Sequence, residues 1–174
     1  MFLIFDTETT GLPKNWKAPL TDFDNWPRMV QLAWQIHDIE GELVDVKNFI
    51  IKPENYDIPF NAQKIHGIST ERAIKQGVDL NFVLEEFLND VKNSNYIIGH
   101  NISFDNNIVG CELLRKGYNN ILSNHSCLDT KDLSTDYCKI PGGRGGRYKW
   151  PSLTELHFKL FDEDFAEAHN ASAD

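Results

Sequence analysis

Cationic side chains are in short supply: 17 Lys and Arg stand against 26 Asp and Glu, a formal charge of −9 with histidine neutral. That balance excludes bulk positive charge as the means of holding DNA, RNA or an anionic membrane, because the average field repels a polyanion. Any such partner needs a local device. Long apolar runs are missing too. None approaches the roughly 20 residues that span a bilayer, and the apolar start at residues 2–5 stops at Asp6, too short for the core of a signal peptide. Cysteine is scarce. Cys111, Cys127 and Cys138 are odd in number and widely spaced, which argues against a disulfide framework and fits a reducing, cytoplasmic setting. A zinc site drawn from His125, Cys127, Cys138 and His157 has no CxxC or HxxxH spacing behind it. The rest of the composition is ordinary for one folded domain: 174 residues, 41% hydrophobic and 25% charged, unlike a disordered or collagen-like chain.

Phe2-Leu3-Ile4-Phe5 is wholly apolar and rich in strand formers, as expected of a central strand covered on both faces. Gly11-Leu12-Pro13 breaks it, and a polar stretch carrying Pro13, Pro19 and Pro27 loops out to Arg28. Residues 29–36 and 43–51 read as two strands joined by a turn near Glu40-Gly41, an antiparallel pair. The period then changes. Leu80, Val83, Leu84, Phe87, Leu88 and Val91 fall at i, i+3, i+4, i+7, i+8 and i+11, a helix with Asp79 as its N-cap. Residues 96–99 form another short apolar strand, residues 104–116 a helix closed by Gly117, and Ser152 with Glu155 a capping box opening a helix to about Leu160. A strand, a hairpin, a helical crossover and another strand predict a mixed α/β sheet with helices packed on it. The two apolar strands are expected to pair in parallel through a right-handed crossover. They then end at one edge, where open α/β sheets bind ligands, and the residues after Phe5 meet those after Gly99.

Directly after Phe5 come Asp6-Thr7-Glu8. Strand side chains alternate, so Asp6 and Glu8 share a face and aim two carboxylates together from the end of a buried strand. Two anions so placed suit divalent cations, whose hard character favours oxygen ligands. Directly after Gly99 come His100-Asn101-Ile102-Ser103-Phe104-Asp105, which brings Asp105 to the same edge. Spacing alone is weak. Asp38 and Glu40 repeat the Asp-x-Glu pattern in a segment that reads as a solvated hairpin turn, and His-x4-Asp occurs at His100, His157 and His169. Position at the end of a central strand is what separates the first pair from the second.

Taken together, three segments carry a resemblance to the DEDDh 3′→5′ exonuclease family, which includes the proofreading epsilon-type subunits of bacterial replicative polymerases. The run from Phe5 to Pro13 looks like its first motif, His100 to Asp105 its second, and His169 to Asp174 its third; Ile65-His66-Gly67-Ile68 matches a further segment. Trp26-Pro27-Arg28 and the Gly-Arg-rich stretch resemble the exonuclease domains attached to some polymerase III alpha chains. The resemblance implies an RNase H-like mixed sheet, strands 1–3 antiparallel and strands 4–5 parallel, flanked by helices. It implies two divalent ions, Mg²⁺ or Mn²⁺, held by Asp6, Glu8, Asp105 and Asp174, with His169 as the general base. Thr7, Thr9 and Leu12 match positions that receive the terminal nucleotide, Leu12 as an apolar wedge. The implied substrate is a single-stranded or frayed 3′ end of DNA, with RNA as the alternative, and the implied partner a replicative polymerase in cis or in trans.

A non-catalytic docking module would be expected to have lost an acidic ligand, whereas the four carboxylates and the histidine are all present. The family continues with a helix beyond its third motif, and the last residue of the sequence is Asp174. The expectation is therefore a single exonuclease domain, 1–174, lacking its final helix and holding metal weakly. Two softer features stand apart. Residues 138–154 contain no acid but carry Lys139, Arg144, Arg147 and Lys149, a stripe suited to a phosphate backbone or to a solvated loop. Trp16 and Trp26 suit base stacking or, more commonly, the pinning of a loop, while His66 and His100 read as structural.

Overall fold

The computed structural model describes residues 1–164 of the chain. Burial alternates residue by residue along β1 (Phe2–Thr9). Leu3 and Phe5 are buried on one face together with Thr7 and Thr9, while Ile4, Asp6 and Glu8 are half-buried on the other. β2 (Met29–His37) runs antiparallel to β1, with Phe5 opposite Trp34 and Glu8 opposite Gln31. β3 (Leu43–Ile50) pairs antiparallel with β2 and forms one edge. Three helices, α1 (Phe60–His66), α2 (Thr70–Gln76) and α3 (Leu80–Lys92), return the chain to β4 (Tyr96–Gly99), which pairs in parallel with β1. After α4 (Ile102–Arg115), β5 (Cys127–Asp129) adds to β4 in parallel. α5 (Thr130–Cys138) and α6 (Leu153–Phe161) complete the described chain. The strand order β3-β2-β1-β4-β5 is the mixed sheet expected, antiparallel on one side of β1 and parallel on the other.

The helical spacing of residues 80–91 makes the core. All six apolar positions of that stripe are buried in α3. Phe87 sits 5.0 Å from the Phe5 ring and 5.3 Å from Trp34, centroid to centroid, within the range of favourable aromatic pairs. Asp79 caps the helix by accepting from the backbone of Asn81 and Phe82. Val30, Ile58, Ala62, Ile68 and Ala73 form a second cluster that seats α1 and α2. In the loop before β2, Trp26 is 3% exposed and donates its indole N–H to the Pro19 carbonyl, so it pins the loop.

Two boundaries differ from the sequence expectation by more than one residue. β1 runs on past Phe5 to Thr9, because β2 continues to pair beside it. α4 begins at Ile102, ahead of the expected 104, with Asn101 in the left-handed region at φ 66°.

Candidate active site

β4 pairs only with Phe2, Leu3 and Ile4 of β1. Beyond Ile4 the central strand has outrun its parallel neighbour, and on that side its backbone needs another partner. Asp105 supplies it. One carboxylate oxygen, Oδ1, accepts from the Thr7 backbone N–H at 3.1 Å and from the Thr7 hydroxyl at 2.6 Å. The second carboxylate segment thus lies against Thr7, the residue between Asp6 and Glu8, as the parallel pairing of the two strands required.

A tight corner between β4 and α4 makes this approach possible. Gly99 leaves little room for a side chain, since a β-carbon there would sit 3.1 Å from the Phe5 carbonyl oxygen and 3.2 Å from Cγ1 of Ile102, tight contacts that the neighbours would have to relieve. Asn101 turns the chain in the left-handed conformation that Asn tolerates better than most residues. Its backbone N–H donates to Oδ1 of Asp129 at 2.9 Å, and its side-chain oxygen accepts from Lys131 Nζ at 2.8 Å. Asp105 then falls in the first turn of α4, where the helix dipole favours a carboxylate. His100 makes bridging bonds and also lines the cleft at Asp6. Its ring bridges the Thr130 hydroxyl at 3.1 Å and the Pro151 carbonyl at 3.0 Å, joining the start of α5 to the segment before α6.

Asp6 opens on a cleft of about 270 Å³ lined also by Ile4, Gly99, His100, Thr130, Leu153 and Leu156. The other predicted positions separate by exposure. Thr7 and Thr9 are buried, and the Thr9 hydroxyl donates to the Gly11 carbonyl at 2.7 Å. Leu12 is 71% exposed. His66 is buried near the Thr9 backbone, its Nδ1 accepting from Ile68 N–H, and burial lowers its pKa. His169 and Asp174 lie outside the described residues. The two tryptophans divide: Trp26 pins its loop, whereas Trp16 is exposed with its ring 5.7 Å from Phe104, the neighbour of Asp105. Asp38, the comparison acid, is spent on its own turn, accepting from the N–H groups of Glu40 and Glu42.

The electrostatics single out Asp105. Burial pushes its carboxyl up to about 7, against the two Thr7 hydrogen bonds that favour the anion, and the charge of Asp129 adds to the rise. No cation pairs with it among the described residues. Among those residues no group of three His, Cys, Asp or Glu side chains is gathered tightly enough to hold an ion unaided. Among the described residues Asp6, Glu8 and Asp105 do not by themselves make a metal cage. Their chemistry fits a hard divalent ion: carboxylate oxygens, one of them buried and lacking a counter-charge. The sequence pattern alone had no signal for the part played by Thr7, which spends both its donors on Asp105.

The chain has relatives in sequence and in fold. DNA polymerase III subunit epsilon of Rickettsia felis is 33% identical over 178 residues, covering 99% of this chain and 68% of that protein. The subunit of the same name from Rickettsia prowazekii is 31% identical over 176 residues, with the same coverage. Among solved structures, E. coli exonuclease I in complex with a dT13 oligonucleotide superposes with a TM-score of 0.76 at 22% identity, covering 99% of this chain and 38% of that one. A zinc-ion-bound form of its single-stranded DNA complex gives 0.76 at 24%, covering 99% and 37%. The chain thus spans well under half of exonuclease I, and that likeness is one of fold. A family model described as exonuclease matches residues 3–174, and by that match the chain belongs to the exonuclease family.

Proposed function

We propose that this chain is a divalent-metal-dependent 3′→5′ exonuclease that releases nucleoside 5′-monophosphates from single-stranded or frayed 3′ ends of DNA, proofreading for a replicative polymerase in cis or in trans. The observation that carries the reading is the seat of Asp105 against Thr7, between Asp6 and Glu8 at the end of the central strand. The relatives' name, DNA polymerase III subunit epsilon, supports the polymerase partnership, and the oligonucleotide complexes of exonuclease I support a DNA substrate. In this reading Asp6, Glu8, Asp105 and Asp174 hold two Mg²⁺ or Mn²⁺ ions. When bound, those ions supply positive charge to the scissile phosphate, its attacking water and the leaving 3′ oxygen.

The chain's own groups do the rest. The imidazole of His169, a side-chain type whose reference pKa is about 6.5, takes a proton from the water as its oxygen bonds to phosphorus. The bond from phosphorus to the 3′ oxygen breaks, and the terminal nucleotide leaves with a 5′-phosphate. Leu12, apolar and exposed, wedges beside the last base. Thr7 and Thr9 stand beside that nucleotide in this reading, their hydroxyls bonded inside the protein and the Thr7 N–H held by Asp105. Incubation of a 3′-labelled oligonucleotide with Mn²⁺ releases labelled mononucleotide, and His169→Ala abolishes the release. Full activity in that variant removes His169 as the base, and label appearing only in longer fragments removes the exonuclease polarity.

A further inference from the structure

The acid-free stretch between α5 and α6 has no part in the candidate active site, and it is a built structure. Its ends are tied where Lys149 N–H donates to the Ile140 carbonyl at 2.9 Å. Inside, a β-carbon on Gly143 would collide with the carbonyl oxygens of Arg147 and Tyr148, and Gly145 turns the chain at φ 68°. The loop and α5 enclose a cavity of about 1100 Å³. Two of the four cations of the stretch line it without a partner: Arg144 and Arg147 are exposed and make no ion pair or side-chain hydrogen bond among the described residues. Lys149, by contrast, is spent on Glu155 at 2.7 Å. Trp150 lines the same cavity, 65% exposed, with Lys131 Nζ 4.5 Å from its ring centroid.

The cavity and the cleft at Asp6 are walled by residues close together in the same two stretches of chain. The cleft at Asp6 is walled by Thr130 and Leu153, and the larger cavity by Asp132, further along α5, and Trp150, just before α6. The bond from His100 to the Pro151 carbonyl fixes the end of the loop to the catalytic edge. We propose that Arg144, Arg147 and Trp150 form a second contact for single-stranded DNA, which takes the sugar-phosphate backbone upstream of the 3′ end held at Asp6. This inference rests on the nuclease reading for its direction along the strand. Arginine guanidinium groups suit phosphate oxygens, and an exposed indole stacks on any base, so the contact is indifferent to sequence. Asp132 and Asp136 on the α5 wall repel phosphate and hold the backbone on the loop side.

Binding of 5′-fluorescein dT12, measured by anisotropy in EDTA at 50 and 200 mM salt, tests the proposal. Two phosphate contacts at about 0.7 counterions each contribute about 1.4 to the logarithmic salt slope. Across this fourfold change in salt, the unmodified protein therefore loses about sevenfold more affinity than Arg144→Ala/Arg147→Ala. Asp132→Asn/Asp136→Asn moves the other way and tightens dT12 binding. Equal salt slopes in the protein and its double arginine variant overturn the proposal, as does weaker binding after the aspartates are neutralised. Failure of the nuclease reading is separate: arginine-dependent binding of dT12 with no mononucleotide released in Mn²⁺ keeps the loop as a strand contact and removes the catalysis.

Discussion

Asp105 is held by Thr7 in a place that penalises its charge. Its carboxyl sits at about 7, well above the ordinary carboxylate range, chiefly because it is buried. Between the ordinary value and about 7, the folded protein keeps a proton that the unfolded chain has lost. Stability from this group is therefore full in acid and is lost as pH rises through that window. Asp105→Asn removes the titration and keeps the shape. In EDTA the variant is expected to melt several degrees above the unmodified protein at pH 8 and within a degree or two of it at pH 4. A gap that is equal at both pH values shows that Asp105 is ionised in the fold throughout. Much of this was legible in the sequence. The approach of Asp105 to the Asp6 and Glu8 strand follows from the parallel pairing of β1 and β4. Pattern could not supply the depth of burial or the donors of Thr7, since both depend on how far β4 falls short of β1.

At the level of elements, legibility followed amphipathicity. α3 was readable because its apolar stripe has helical period and a true N-cap. α1 and α2, seven residues each, are too short to show a stripe. α5 has one buried residue, Cys138, so its sequence carries no core-facing period. β5 is three residues long and is defined by its pairing with β4. α4 starts two residues ahead of the expected position because Asn101 makes no side-chain cap and instead turns the chain through the left-handed region. This corner is the element that aims Asp105, and Gly99 is its tightest point. Gly99→Val forces the Phe5 carbonyl and Ile102 apart, an overpacking cost of about 1–3 kcal/mol. The melting midpoint is expected to fall by about 3–10 °C for a chain of this size, with Gly99→Ala falling less. A midpoint that does not move in Gly99→Val means that the corner opens without cost and does not fix the site.

Across the whole molecule, the charge of −9 and the placement of the acids bear on one another. Asp6 and Glu8 lie on the last residues of β1, and the buried Asp105 is bonded to Thr7 between them in sequence, so three acids belong to one end of the central strand. Dispersed surface charge responds to ionic strength alone and treats Na⁺ and Mn²⁺ alike once screening is matched. A built site responds to the divalent ion in particular, because an ion that binds only the folded state stabilises it by mass action, about 2.7 kcal/mol at a concentration 100 times its dissociation constant. For a protein of this length that is a rise of about 5–10 °C in the melting midpoint. Saturating Mn²⁺ at pH 8 is therefore expected to raise the midpoint well beyond NaCl of equal ionic strength, and Asp6→Asn is expected to abolish most of the excess. Equal responses to Mn²⁺ and NaCl would show that the acids at the strand end hold no ion. The measurement needs no substrate, so it tests the metal site independently of the nuclease assay and of DNA binding at the arginine loop.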